Sequence, residues 1–153
     1  RLKAPLQEIT IHQGNEEYLA LLSGIIRSLP KGSKKYVLGT GGEVFMRETM
    51  IPLWEDYHAV ARRQSIRIYM IGYEPQREAI EPWTRPVGIY AIRYLPAALE
   101  NPSGIHIYPE IGVVLNIIYS NEYQPVTAIK IKNVSLAKGY LQLFESLWKI
   151  GKK

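Results

Sequence analysis

Chemistry in a protein needs a nucleophile, a proton carrier, a metal-ligand set or a charge clamp, and this chain is sparing with all four. It has no cysteine, and its three histidines (His12, His58 and His106) stand at no helical metal-ligand spacing. Disulfides, thiolate zinc sites and cysteine nucleophiles are excluded, and neither a structural metal nor a cofactor is expected. No Gly-x-Ser-x-Gly elbow is present. Glu43, Glu48, Glu55 and Asp56 could face a cleft, but charges along a long helix usually form its wet face.

What remains suits holding a ligand rather than transforming one. Gly39-Thr40-Gly41-Gly42-Glu43 lies between a strand and a helix. Gly41 and Gly42 would let backbone amides approach an anion or a hydroxyl-rich group at the helix N-terminus, although a tight turn alone would recruit the same glycines. No Gly-Lys-Ser/Thr follows, so this is not a nucleotide P-loop. Arg93 ends a strand, where open α/β sheets bind ligands. It could clamp a carboxylate or phosphate, or pair with Glu74, Glu78 or Glu81. Asn116 interrupts an apolar strand and needs a partner, either a neighbouring side chain or a ligand. Trp83, read as a loop residue, could stack on a sugar ring, anchor a dimer contact or pack on the sheet edge.

The elements that must position these residues follow from periodicity. Glu8 to His12 reads as a strand. A helix then enters at Gly14-Asn15, with Leu19, Leu22, Ile26 and Leu29 as its apolar stripe, and closes at Pro30. Tyr36 to Leu38 is a second strand. A long helix from about Glu43 to Arg63 follows, kinked or restarted at Pro52. Ser65 to Ile71 is a third strand, and the proline-rich stretch Tyr73 to Arg85 reads as a loop or broken helix over the sheet edge. Four strands come next, over Val87–Tyr94, Ile105–Tyr108, Val113–Tyr119 and Val126–Lys132. The last alternates Ile129 and Ile131 against Lys130 and Lys132. The third, Val113-Val114-Leu115 with Ile117-Ile118, is apolar on both faces, as a central strand should be. A closing helix carries Leu136, Tyr140, Leu143, Phe144 and Leu147, extended by Trp148. The order predicts one α/β domain, a mixed sheet with helices on both faces.

Composition agrees with such a domain. The 153 residues are 46% hydrophobic and 22% charged, enough to bury a core. No apolar run reaches the ~18 residues of a membrane span, and no signal-peptide pattern opens the chain, so a cytoplasmic protein without membrane contact is expected. The net charge of +5 gathers at Lys31, Lys34 and Lys35 and at Lys149, Lys152 and Lys153, which read as two solvated basic ends. The chain opens on Arg1, as a piece of a longer protein would.

Several stretches, taken in order, resemble the C-terminal effector domain of TrmB-type transcriptional regulators, whose architecture is phospholipase D-like. They are Ile11-His12-Gln13-Gly14-Asn15, Ser65-Ile66-Arg67-Ile68-Tyr69-Met70-Ile71, Arg93-Tyr94-Leu95-Pro96, Ile105-His106-Ile107-Tyr108, and Ala128-Ile129-Lys130-Ile131-Lys132-Asn133 with Tyr140 and Phe144-Glu145-Ser146-Leu147-Trp148. The resemblance covers nearly the whole chain. It implies a homodimerising effector module that takes a small-molecule effector (a sugar or an anion) and meets DNA only through a separate N-terminal winged-helix domain.

Active phospholipase D-like enzymes carry His-x-Lys with an aspartate further along, the histidine attacking phosphorus and the lysine neutralising the phosphoryl oxygens. His106 matches, but Tyr108 and Val113 occupy the lysine and aspartate positions. No catalytic residue is therefore assigned. The expected ligand site lies near Gly41, Arg93 and His106. A pure dimerisation scaffold and an unrecognised phosphodiesterase are the competing readings.

Overall fold

The computed structural model describes residues 7–42 and 45–153. Among them, seven strands form one mixed sheet: β1 (Glu8–Gln13), β2 (Lys34–Leu38), β3 (Arg67–Tyr73), β4 (Tyr90–Leu95), β5 (Ser103–Tyr108), β6 (Val113–Ile118) and β7 (Thr127–Lys132). Their order across the sheet is β1-β7-β6-β5-β2-β3-β4. β2, β3 and β4 run parallel, and each step carries a helix over the sheet, because parallel neighbours cannot be joined by a tight hairpin. These helices are α2 (Ile51–Arg63) and α3 (Arg77–Thr84); α1 (Asn15–Ser28) joins β1 to β2, and α4 (Val134–Ile150) closes the chain. All other strand pairs are antiparallel.

The sheet separates two cores. On one face Tyr18, Leu22 and Ile26 of α1, Tyr57 and Ala61 of α2 and Ile80 of α3 pack on Val37, Ile68, Met70, Leu115 and Ile117. On the other, Ala137 and Phe144 of α4 cover Ile71, Leu95, Ile107 and Val114. β6 thus serves both cores, as its apolar run predicts. Helices on both faces are likewise as expected. No helix among the described residues is long and apolar enough to cross a membrane.

Of the two readings of the stretch after β3, the broken helix holds: a 3-10 turn (Glu74–Gln76) leads into α3, stitched by Arg77 to Glu74 and Glu81 and by Arg85 to Glu81. Three details differ from expectation. Leu143 is exposed, because Ala137, Leu141, Phe144 and Trp148 form the stripe that meets the sheet. On β7 the isoleucines do not face a covered core. α4 does not extend over β1 and β7, leaving Ile9 63% and Ile11 69% exposed beside Ile129 and Ile131. Lys35 is not a solvated end residue: it is only 4% exposed.

Pro52 resolves as a restart. A π-helical turn, Met46–Met50, precedes α2, and Pro52 falls in the first turn of α2, where no amide is needed. Glu43 lies outside the described residues. Glu48, Glu55 and Asp56 are exposed, and Asp56 pairs with Arg27 at 2.8 Å.

Candidate ligand-binding site

Among the described residues three buried side-chain atoms have no hydrogen-bond partner; His106 Nδ1 and Tyr108 Oη lie beneath α2, and Arg93 Nε lies on the α4 side. β2 alternates, so Lys35 and Val37 share the face turned to α1 and α2, while Tyr36 and Leu38 face α4. Val37 lies opposite His106 on β5, and one register step from the Tyr36–Ile107 pair brings Lys35 opposite Tyr108. The lysine Nζ sits 5.5 Å from the Tyr108 ring centre and 5.1 Å from that of Tyr57. It donates to Tyr57 Oη at 2.8 Å. Where Tyr108 replaces the lysine of a His-x-Lys pair, a lysine from the neighbouring strand stands over the tyrosine instead.

These residues border a cavity of about 50 Å³ between the sheet and the α1–α2 layer. Lys35, Thr40 and His106 line it with a mainly apolar wall that includes Met46, Met50, Met70, Trp54, Tyr57 and Tyr90. The widened π turn places Met46 and Met50 together on the wall. Among the described residues, none that lines the cavity is an aspartate or glutamate.

Electrostatics follow from this apolar setting. Burial pulls the Lys35 ammonium down to about 7, because the charge loses its hydration there. Burial, reinforced by the nearby Lys35, holds His106 well below the usual histidine value. His106 Nδ1 and Tyr108 Oη are buried without a hydrogen-bond partner. His58 is lowered to about 4 by burial, then by Arg62 and Lys35, and its Nε2 lies 2.6 Å from Tyr90 Oη. Burial raises the Tyr57, Tyr90 and Tyr108 phenols, which therefore stay protonated.

The predicted site residues divide. Gly41 and His106 both line the cavity. A Cβ on Gly41 would overlap the Phe45 ring, at 2.1 Å from its nearest atom, so glycine permits that closure. Gly42 has open space around its Cα and stands outside the wall. Thr40 is committed elsewhere, its hydroxyl donating to Gln76 Oε1 at 2.9 Å.

Arg93 belongs to the opposite layer. Its Nη1 donates to the Trp148 carbonyl at 2.7 Å, and its guanidinium lies 4.7 Å from the Trp148 ring centre. It serves the C-terminal end of α4, and of the glutamates offered as its partners Glu74 and Glu81 are held by Arg77 and Arg85 instead. Arg93→Ala should cost about 1–2 kcal/mol in urea unfolding, through the lost charge-assisted bond and stacking, without altering binding in the cavity.

Asn116 is half-exposed on the α4 side of β6 and makes no side-chain hydrogen bond among the described residues. Water can satisfy it there. Trp83 is 41% exposed on α3 rather than in a loop, and its carbonyl accepts from Trp54 Nε1 at 2.8 Å. Neither borders the cavity. Lys35, Tyr57 and Tyr90 were not singled out as site residues in the sequence. The in-phase spacing of Lys35 and Val37 was the available signal for an inward lysine.

No family model matches the chain, and no curated protein matches it by sequence. Solved structures do match. NucT from Helicobacter pylori aligns with a TM-score of 0.68 at 11% identity, covering 95% of this chain and 98% of that one. Nuc from Salmonella typhimurium, a phospholipase D family member, gives 0.66 at 14% identity, covering 95% and 97%. TrmBL2, an archaeal chromatin protein described with a novel mode of DNA binding, gives 0.65 at 10% identity over 99% of this chain. This chain spans 55% of TrmBL2's length. At such identities the likeness is one of fold, and at that level it agrees with the resemblance read from the sequence: the chain is an α/β domain of phospholipase D-like fold, an architecture it shares with TrmBL2.

Proposed function

We propose that this chain is a non-catalytic effector module of a TrmB-like regulator, which binds a small molecule in the cavity at Lys35 and His106. Two copies pair, and DNA is met through a separate domain. The observation that carries the reading is the composition of the cavity. Among the described residues, a buried lysine without a counter-ion and a histidine with an unpartnered nitrogen face a mostly apolar space, an arrangement suited to a ligand that brings its own charge. Catalysis is poorly served there. His106 has no carboxylate to orient it, and the cavity is too small for a phosphodiester flanked by two substituents. The uncovered isoleucines of β1 and β7 support pairing.

A phosphodiesterase reading draws on one feature, the presence of Lys35 and His106 in the same cavity. A chromogenic phosphodiester separates the two. No turnover above the buffer blank is expected, at any metal supplement. Turnover that disappears in His106→Ala would overturn the effector reading.

A further inference from the structure

We infer that the cavity is a receptor for a small aliphatic monocarboxylate of two or three carbons, its carboxylate held by Lys35 Nζ and the imidazole of His106 and its tail lying against Met46, Met50 and Met70. The inference rests on the effector reading above and names the ligand class of that same site.

Charge selects a monoanion. One ammonium faces the cavity, and among the described residues none of the lining side chains is an aspartate or glutamate. A bound carboxylate would complete an ion pair with Lys35. A phosphate dianion brings twice the charge and more acceptor lone pairs than two donor groups can meet, and burying the surplus is costly.

Donor geometry agrees. Lys35 Nζ has three N–H bonds, of which Tyr57 Oη takes one. His106 Nδ1 has no partner, and with its Nδ1–H tautomer it becomes a second donor. Two carboxylate oxygens can use both groups.

Size and wall chemistry exclude the alternative that the family resemblance suggests, a disaccharide. An engineered cavity of about 150 Å³ holds benzene, whereas this one measures about 50 Å³. Sugar hydroxyls would also meet methionine and aromatic side chains instead of hydrogen-bond partners.

Protonation gives the site a further signature. The groups facing Lys35 are Tyr57 and His58 from α2, His106 and Tyr108 from β5, Tyr18 from α1 and Tyr90 from β4. The tyrosines are raised, His106 is well below its usual range and His58 is at about 4. Lys35 is thus the member of this cluster that titrates near neutrality. A carboxylate needs it charged, so affinity should fall as pH rises through 7.

The test is titration calorimetry on the purified protein with sodium acetate and sodium propionate, against matched sodium chloride, sodium phosphate and maltose. Carboxylate binding is expected near pH 6.5, weakened at least tenfold near pH 8.5 and at least thirtyfold in Lys35→Met, with an intermediate loss in His106→Phe. Binding that is independent of pH, or retained in Lys35→Met, overturns the carboxylate site. Binding of maltose or phosphate but no carboxylate also overturns it, while leaving the effector reading standing. Absence of any binding together with phosphodiester turnover removes both.

Discussion

Lys35→Met is expected to stabilise the protein by about 2 kcal/mol near pH 6.5 and to lose that advantage near pH 9.5. The reason is an ammonium held in a mainly apolar cavity without a counter-ion among the described residues. Its displacement from 10.5 to about 7 corresponds, at 1.36 kcal/mol per unit, to a penalty on the order of 5 kcal/mol when the lysine is charged. The sign follows from proton counts. Between pH 7 and 10.5 the unfolded chain keeps the proton on Lys35 and the folded chain releases it, so stability rises with pH across that window. Below pH 7 the full penalty is present. Methionine fills a similar volume and carries no charge, so it removes both the penalty and the slope.

Two losses reduce the gain. Tyr57 Oη loses its partner, at about 1–3 kcal/mol, and the cation's contacts with the Tyr57 and Tyr108 rings disappear, at about 1 kcal/mol. The net is about 2 kcal/mol near pH 6.5, or roughly 4–8 °C in Tm for a chain of this length. Urea unfolding of both proteins at intervals from about pH 6 to 9.5 reads it directly, and the raised phenols common to both cancel in the difference. A pH-independent difference would mean that the Lys35 amine does not change protonation inside the fold. Lys35→Met combined with Tyr57→Phe should recover about 1 kcal/mol more, since no hydroxyl is then left unpaired. A variant that folds better yet does not bind carboxylate would mark Lys35 as a residue whose cost in stability serves function.

Much of the fold was legible because its elements carry clean periods. The doubly apolar β6 and the stripes of α1 and α4 come from side-chain spacing, and local order predicted helices on both faces. The proline-rich stretch left a loop and a broken helix both open, because Pro75, Pro82 and Pro86 interrupt any helical pattern. Two of them, however, sit in 3-10 turns, and the i+3 and i+4 charges Glu74, Arg77, Glu81 and Arg85 hold the helix between them. The site was harder to read for a geometric reason. Arg93 and His106 each sit on an inner strand position, but which face each takes depends on pairings distant in sequence. Lys35 was obscured by Lys31 and Lys34, since a run of lysines looks like solvated surface until the phase shared with Val37 is weighed.

Gly104→Ala should destabilise the protein by about 3 kcal/mol, lowering Tm by roughly 6–12 °C. Here the end of β2 passes the start of β5 with two glycines at the crossing. A Cβ on Gly104 would lie 2.3 Å from Tyr119 Oη, 2.9 Å from its ring carbon Cζ and 3.0 Å from the Gly39 carbonyl oxygen. The Tyr119 hydroxyl is fixed there because it donates to that same carbonyl at 2.8 Å. Gly39 has φ of 82° and could not yield either, since a Cβ of its own would meet the Ser103 carbonyl oxygen at 2.8 Å. The alanine must therefore push the phenol off its acceptor, which adds a broken buried hydrogen bond to the overpacking. Tyr119→Phe alone should cost only about 1 kcal/mol. Introduced beside Gly104→Ala, it should restore part of the loss, because the closest clash is with the hydroxyl. A double-mutant cycle then gives a coupling above about 1 kcal/mol between the two sites. Additive effects would show that the crossing is looser than these distances require. Because Gly39 leads directly into Thr40 and Gly41 of the cavity wall, the same cycle run on carboxylate affinity would reveal whether this crossing also holds the mouth of the site in place.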